Sequence, residues 1–162
     1  IKENRDILSE WSPSINLGFS VFIPNDYIPD IQIRLTIYRR ISNINSLEKL
    51  NEIVSELIDR FGSLPEELKN FIKIIEIKNL CKKANINKID LGTKGFIITF
   101  NNNKLIDTEK LLNLVDKNPD ILKLRPDNKL LYLNKFSNKN KKIIEIVNFL
   151  KILKKINNEK QD

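Results

Sequence analysis

From Ile31 to Ala84 the apolar residues recur at the spacing of a helix face, and from Lys88 onward they come in short runs broken by Gly or Pro. This change of period limits the fold more than any other feature. A run of helices followed by hairpins specifies an α+β fold rather than a parallel βαβ fold. The expected order is an N-terminal strand and a three-helix segment, then two β-hairpin-plus-helix units around a small mixed or antiparallel sheet.

Local signals place the elements. "SINLGFSVFIP" (14–24) has strand-like content closed by Pro24. "NDYIPD" is a turn in which Pro29 suits the start of a helix, and Asp26 and Asp30 can satisfy its free N–H groups. The first helix carries Ile31, Leu35, Tyr38 and Ile41 at helical spacing. Asn45 or Ser46 caps a second, over about 46–61, with Leu47, Leu50, Val54, Leu57, Ile58 and Phe61 as its stripe and Gly62 as its stop. Ser63 and Glu66 have the spacing of a capping box for a third, reaching about Ala84 and the most central of the set. Then follow a hairpin over 88–100 with Gly92 and Gly95 in its turn, a helix over 107–118 capped by Asp107, a hairpin over 121–136 about Pro126, and a closing helix over 141–156. Residues 1–13 read as a connecting arm, 14–158 as one domain and 159–162 as a tail. With Ile rather than Met in first place, the chain reads as a piece of a longer protein.

Composition removes most chemistry. Histidine is absent and Cys81 is the single cysteine. Histidine-based acid–base catalysis, Ser-His triads, Cys-His pairs and the usual zinc sites are excluded. Four glycines in no phosphate-cradling pattern leave no nucleotide loop, so no cofactor is expected in this chain. A lone cysteine makes no internal disulfide and fits a reducing cytoplasm. No apolar run approaches the ~20 residues that cross a bilayer, so no membrane partner is expected.

Two charged features stand out. Glu48, Glu52 and Glu56 recur at i, i+4 and i+8, and Asp59 follows. On a helix they share one face, away from the apolar stripe. Like charges at that spacing cost about 0.2–0.5 kcal/mol per pair, which Lys49 toward Glu52 and Arg60 toward Glu56 can offset. The stripe fits a solvated face or a surface for a basic partner, and lacks the companions that catalysis needs. The second feature is basic. Residues 123–162 hold 11 basic and 4 acidic side chains, the whole net charge of +7, while residues 1–122 carry 17 of each. Lys142, Lys151, Lys154 and Lys155 on the closing helix give the alternative of a DNA-binding accessory domain. No arginine cluster or interleaved aromatics accompany them, and the chain is lysine-rich throughout. Arg34 is spaced to pair with Asp30 at i, i+4.

Ile23-Pro24, Asp26-Tyr-Ile-Pro-Asp30, Arg34-Leu35, Tyr38, Arg40-Ile41, Glu56-Leu-Ile-Asp-Arg-Phe-Gly62 and Leu64-Pro65 together resemble one family. In order and spacing they are similar to the C-terminal domain of bacterial transcription-repair coupling factors (the Mfd family). The resemblance runs from about Ser14 to Phe100 and more weakly beyond. It implies a parent that is an ATP-driven duplex-DNA translocase acting on stalled RNA polymerase and recruiting UvrA. ATP and magnesium would belong to motor domains upstream of this chain. It implies a non-catalytic, autoinhibitory docking role here: a clamp on the N-terminal UvrA-binding module of the same protein, which masks that surface until polymerase is engaged. The family's acidic clamp residues fall at Glu56 and Asp59, with Glu52 and Arg60 beside them.

Overall fold

The computed structural model describes residues 12–101, 106–135 and 138–158. The arm expected at 1–13 therefore falls almost entirely outside the described residues, as does the tail at 159–162. The elements run β1 (Ser14–Asn16), α1 (Ile31–Ser42), α2 (Leu47–Phe61), α3 (Glu66–Lys83), β2 (Ile86–Leu91), β3 (Gly95–Phe100), α4 (Thr108–Lys117), β4 (Leu122–Arg125), β5 (Lys129–Leu133) and α5 (Lys139–Asn158). This is the expected α+β order. The strands form one mixed sheet in the order β1-β2-β3-β5-β4, with β1 parallel to β2 and every other pair antiparallel.

The sheet grows from two hairpins joined edge to edge through β3 and β5. Phe96 faces Tyr132 and Ile98 faces Leu130 across that join. The Phe96 and Tyr132 rings stack at 4.6 Å, and Phe149 of α5 meets Tyr132 edge-on at 4.8 Å. The Tyr132 hydroxyl donates to Glu145 of α5, so the ring is buried while its polar end is satisfied. Gly95 permits the join: a Cβ there would lie 1.8 Å from the Tyr132 carbonyl oxygen.

Two clusters of buried side chains form the interior. One gathers the sheet, α4, α5 and the end of α3. The other gathers α1, α2 and the start of α3, with Ile23 and Ile28 from the preceding loop. Helix α3 serves both, sending Leu68, Ile72 and Ile75 into the helical cluster and Ile77 and Cys81 into the sheet cluster. It is the central helix that the sequence indicates.

Several local expectations are corrected. The strand expected over 14–24 is three residues long. Gly18 turns the chain at φ +69°, and Leu17 before it and Ile23 after it enter different cores, so the segment bridges the two clusters instead of extending the sheet. In α1, Ile31 and Leu35 are exposed, and the inward residues are Ile37 and Ile41. In α2, Leu47 and Ile58 are exposed, and Ile53 joins Leu50 and Leu57 inside. Isoleucine and leucine surround both helices, so composition leaves the inward face open and packing selects it. The capping box at Ser63 and Glu66 does not form. Pro65 occupies the N-cap position without a side-chain cap bond, which leaves Ser63 two residues too early. Of the two aspartates offered for the first helix Asp30 is the cap, accepting from the N–H groups of Gln32 and Ile33; Ser46 accepts from Lys49 and Asp107 from Lys110, as expected.

Candidate functional site

Helix α2 presents the charged face. Ser46 starts it, and Gly62 at φ +88° ends it, a conformation that favours glycine. Its C-terminus is also held from outside. The Tyr27 hydroxyl lies between the carbonyl oxygens of Leu57 at 3.1 Å and Gly62 at 2.8 Å, the second belonging to the residue that ends the helix. The "DYIPD" loop thereby fixes the end of α2 that carries Glu56 and Asp59.

Glu56 is the centre of this face. Arg40, from the last turn of α1, meets it with both guanidinium nitrogens, Nη1 to Oε1 at 2.9 Å and Nη2 to Oε2 at 2.6 Å. Arg60 adds a third hydrogen bond to Oε1 at 2.9 Å. Both arginines hold the carboxyl well below its usual range, to about 2, Arg40 contributing most. The same contact raises Arg40. The Arg60 guanidinium also lies over the Phe61 ring at 4.9 Å. A carboxylate offers about four acceptor positions, so Glu56 keeps about one for any further donor.

The rest of the face is open. Glu48, Glu52 and Glu56 run along one row, and Asn51, Ser55 and Asp59 run beside it at the same spacing. Together with Arg60 they border one shallow trough. Glu52 and Asp59 are exposed and make no ion pair among the described residues. The pairing of Lys49 with Glu52 is not formed, whereas that of Arg60 with Glu56 is.

Arg34 does not pair with Asp30. Its Nη1 donates to the carbonyls of Ile28 at 2.7 Å and Pro29 at 3.0 Å, while Asp30 is engaged as a helix cap. The pairing of Arg40 with Glu56 is what sequence reasoning missed. Arg39 and Arg40 end a helix, where basic residues are favoured by the dipole, and that local reason conceals the longer reach.

The closing-helix lysines divide. Lys151, Lys154 and Lys155 share one end of α5, whereas Lys142 lies about two and a half turns away in the first part of the helix. Lys83 of α3 joins the group of three, a neighbour that only tertiary structure supplies. Among the described residues no group of three His, Cys, Asp or Glu side chains is arranged to hold a metal ion. No helix among them is long and apolar enough to cross a membrane.

Comparison with known proteins shows what the chain as a whole is similar to. The TRCF domain family model matches residues 17–111. A transcription-repair-coupling factor of Rickettsia conorii is 43% identical over 142 residues, covering 86% of this chain and 13% of that protein. The transcription-repair-coupling factor of Escherichia coli K12 is 29% identical over 146 residues, covering 90% of this chain and 13% of its own length. Among solved structures, the crystal structure of a C-terminal domain of transcription-repair coupling factor superposes with a TM-score of 0.74 at 20% identity. It covers 94% of this chain and 99% of that one, which establishes a shared fold. The chain thus spans about an eighth of the length of the relatives it matches.

Proposed function

The chain belongs to the transcription-repair-coupling factor family, and from that premise we propose that it is a non-catalytic docking domain which restrains its parent by clamping another module of the same protein. The partner in this reading is the N-terminal UvrA-binding module, whose surface the clamp would cover. Release would follow engagement of stalled RNA polymerase and duplex DNA. The ATP and magnesium sites of a translocase motor would lie in the rest of the longer protein.

One observation carries the reading. Glu56 is held in a fixed position by Arg40 and Arg60, beside the exposed and unpaired Asp59 and Glu52. A carboxylate already fixed loses little freedom when a basic surface meets it. The geometry also divides the work. With most of its acceptor positions filled, Glu56 serves as a pivot that orients the face, and Asp59 and Glu52 supply the unneutralised charge. Arg60, about half exposed and joined to Glu56 by a single bond, is the contact that an incoming arginine can displace.

Charge-assisted contacts suit a latch. Each contributes about 1.5–3 kcal/mol when well formed, and a partner in the same chain is present at high effective concentration. Such a clamp is closed at rest yet opens when other ligands favour the open form. The test is a titration of this chain against the N-terminal module of the same protein. Replacing Asp59 and Glu52 together by alanine should weaken binding at least tenfold at unchanged stability. Unchanged affinity would remove the acidic face from the proposal.

A further inference from the structure

A second groove lies at the other end of α2, where its first turn meets the C-terminal parts of α3 and α5. Its volume is about 460 Å³. Leu47, Leu50 and Leu80 line it, and Leu47 is 62% exposed although it begins a helix against the core. Lys83, Lys151, Lys154 and Lys155 surround it from two different helices. None of the four makes an ion pair among the described residues. Among the described residues the single carboxylate at the groove, Glu76, is taken by Lys73 at 3.0 Å.

We infer that this groove docks an acidic peptide segment bearing at least one large apolar side chain. The charge is unbalanced: Lys151 and Lys155 stand at i, i+4 on one helix, where like charges repel, and Lys154 and Lys83 add to the same field. A partner rich in carboxylates relieves that repulsion. The positive end of the α2 dipole, at Asn45 and Ser46 on the groove wall, acts in the same direction. The apolar lining requires something more than charge. A leucine or aromatic side chain would cover Leu47, which a phosphate backbone has no group to do. Among the described residues no arginine or aromatic side chain lines the groove for stacking on bases.

The walls are fixed before any partner arrives. Asn79 of α3 donates to the Ile44 carbonyl oxygen at 2.9 Å, tying α3 to the loop that starts α2. Asn157 of α5 donates to the Lys83 carbonyl oxygen at 3.0 Å, tying α5 to the end of α3. The groove takes the first turn of α2, about two and a half turns from Glu56. The inference therefore stands apart from docking through the acidic face.

The experiment follows fluorescence anisotropy of a short labelled peptide with two leucines set among glutamates, titrated with the full 162-residue chain. Saturable binding is expected, weakened about tenfold by Lys154→Glu with Lys155→Glu, and by a similar factor by Leu47→Ser. Circular dichroism verifies that both variants keep the parent fold. A polyglutamate peptide of equal length should bind at least fivefold more weakly. Absence of saturation would overturn the proposal, as would equal binding of polyglutamate. So would tighter binding of a short DNA duplex through the same lysines, which would make the groove a nucleic-acid site.

Discussion

The Arg40 guanidinium meets the Glu56 carboxylate edge to edge, joining α1 to α2 across 16 positions of sequence. Two parallel N–H···O bonds fix both planes, so the pair carries direction as well as charge. The residue with the most prominent place on the acidic face is thus also a joint of the fold. A substitution there is expected to act on stability as well as on the proposed docking.

That dual role separates two variants. Asp59→Ala should leave the thermal midpoint unchanged and lower affinity for the N-terminal module about tenfold. Glu56→Ala should lower affinity and also stability, by about 1 kcal/mol, because two arginines lose their partner. Calorimetry beside a binding titration distinguishes them. Equal stability of the two variants would show that the Arg40 contact contributes nothing to the fold.

The pH dependence follows from the lowered Glu56 carboxyl. Its value is about 2 in the folded chain against an ordinary 4.5. The unfolded chain therefore binds the proton more readily, and stability rises with pH across this window. The contribution is complete above about pH 5 and is lost as pH falls toward 2. Glu56→Gln should remove it, so denaturant midpoints of the two proteins should converge between about pH 5 and pH 2. Curves that stay parallel across that range would refute the assignment.

Arg40 and Arg60 are not equivalent. Arg40 spans two helices with two hydrogen bonds, and Arg60 reaches one turn back on its own helix with one. A double-mutant cycle should give a coupling of about 0.5–1 kcal/mol for Arg40 with Glu56, and a smaller one for Arg60. Both couplings should shrink in high salt, since all three side chains are partly exposed.

Gly95→Ala should destabilise the chain by more than about 2 kcal/mol. The added methyl would collide with the Tyr132 backbone, a group that cannot rotate aside. Urea unfolding followed by circular dichroism measures the loss. A midpoint close to the parent's would mean that β3 and β5 do not approach as described.

Cys81 lies wholly buried in the sheet cluster, and burial pushes its thiol far above the ordinary range. A thiol-specific reagent at neutral pH should leave the native chain unlabelled and react with one equivalent after denaturation. Rapid native labelling would place α3 differently.

Much of this was readable from residue order. Asp30, Ser46 and Asp107 cap helices, Gly62 stops one, and the two hairpins turn near Gly92–Gly95 and Pro126–Asn128, because each signal acts within a few residues of itself. The α+β order followed from the same local information. Inward faces are less legible. Ile31, Leu35, Leu47 and Ile58 belong to stripes that look buried by spacing, yet each is exposed. Spacing defines a helix face, but what covers that face comes from elsewhere in the chain.

The acidic face divides along the same line. Sequence determined that Glu48, Glu52, Glu56 and Asp59 lie together on α2, since helical periodicity alone places them. It also determined that no histidine or second cysteine stands ready for chemistry. Only the tertiary structure decided which of these acids is free. Arg40 comes from another helix and neutralises Glu56, leaving Asp59 and Glu52 open. Lys83 likewise reaches the α5 lysines only because α3 and α5 pack together. Periodicity is a property of a helix by itself, whereas the partner of a charge depends on how helices from distant segments are brought together.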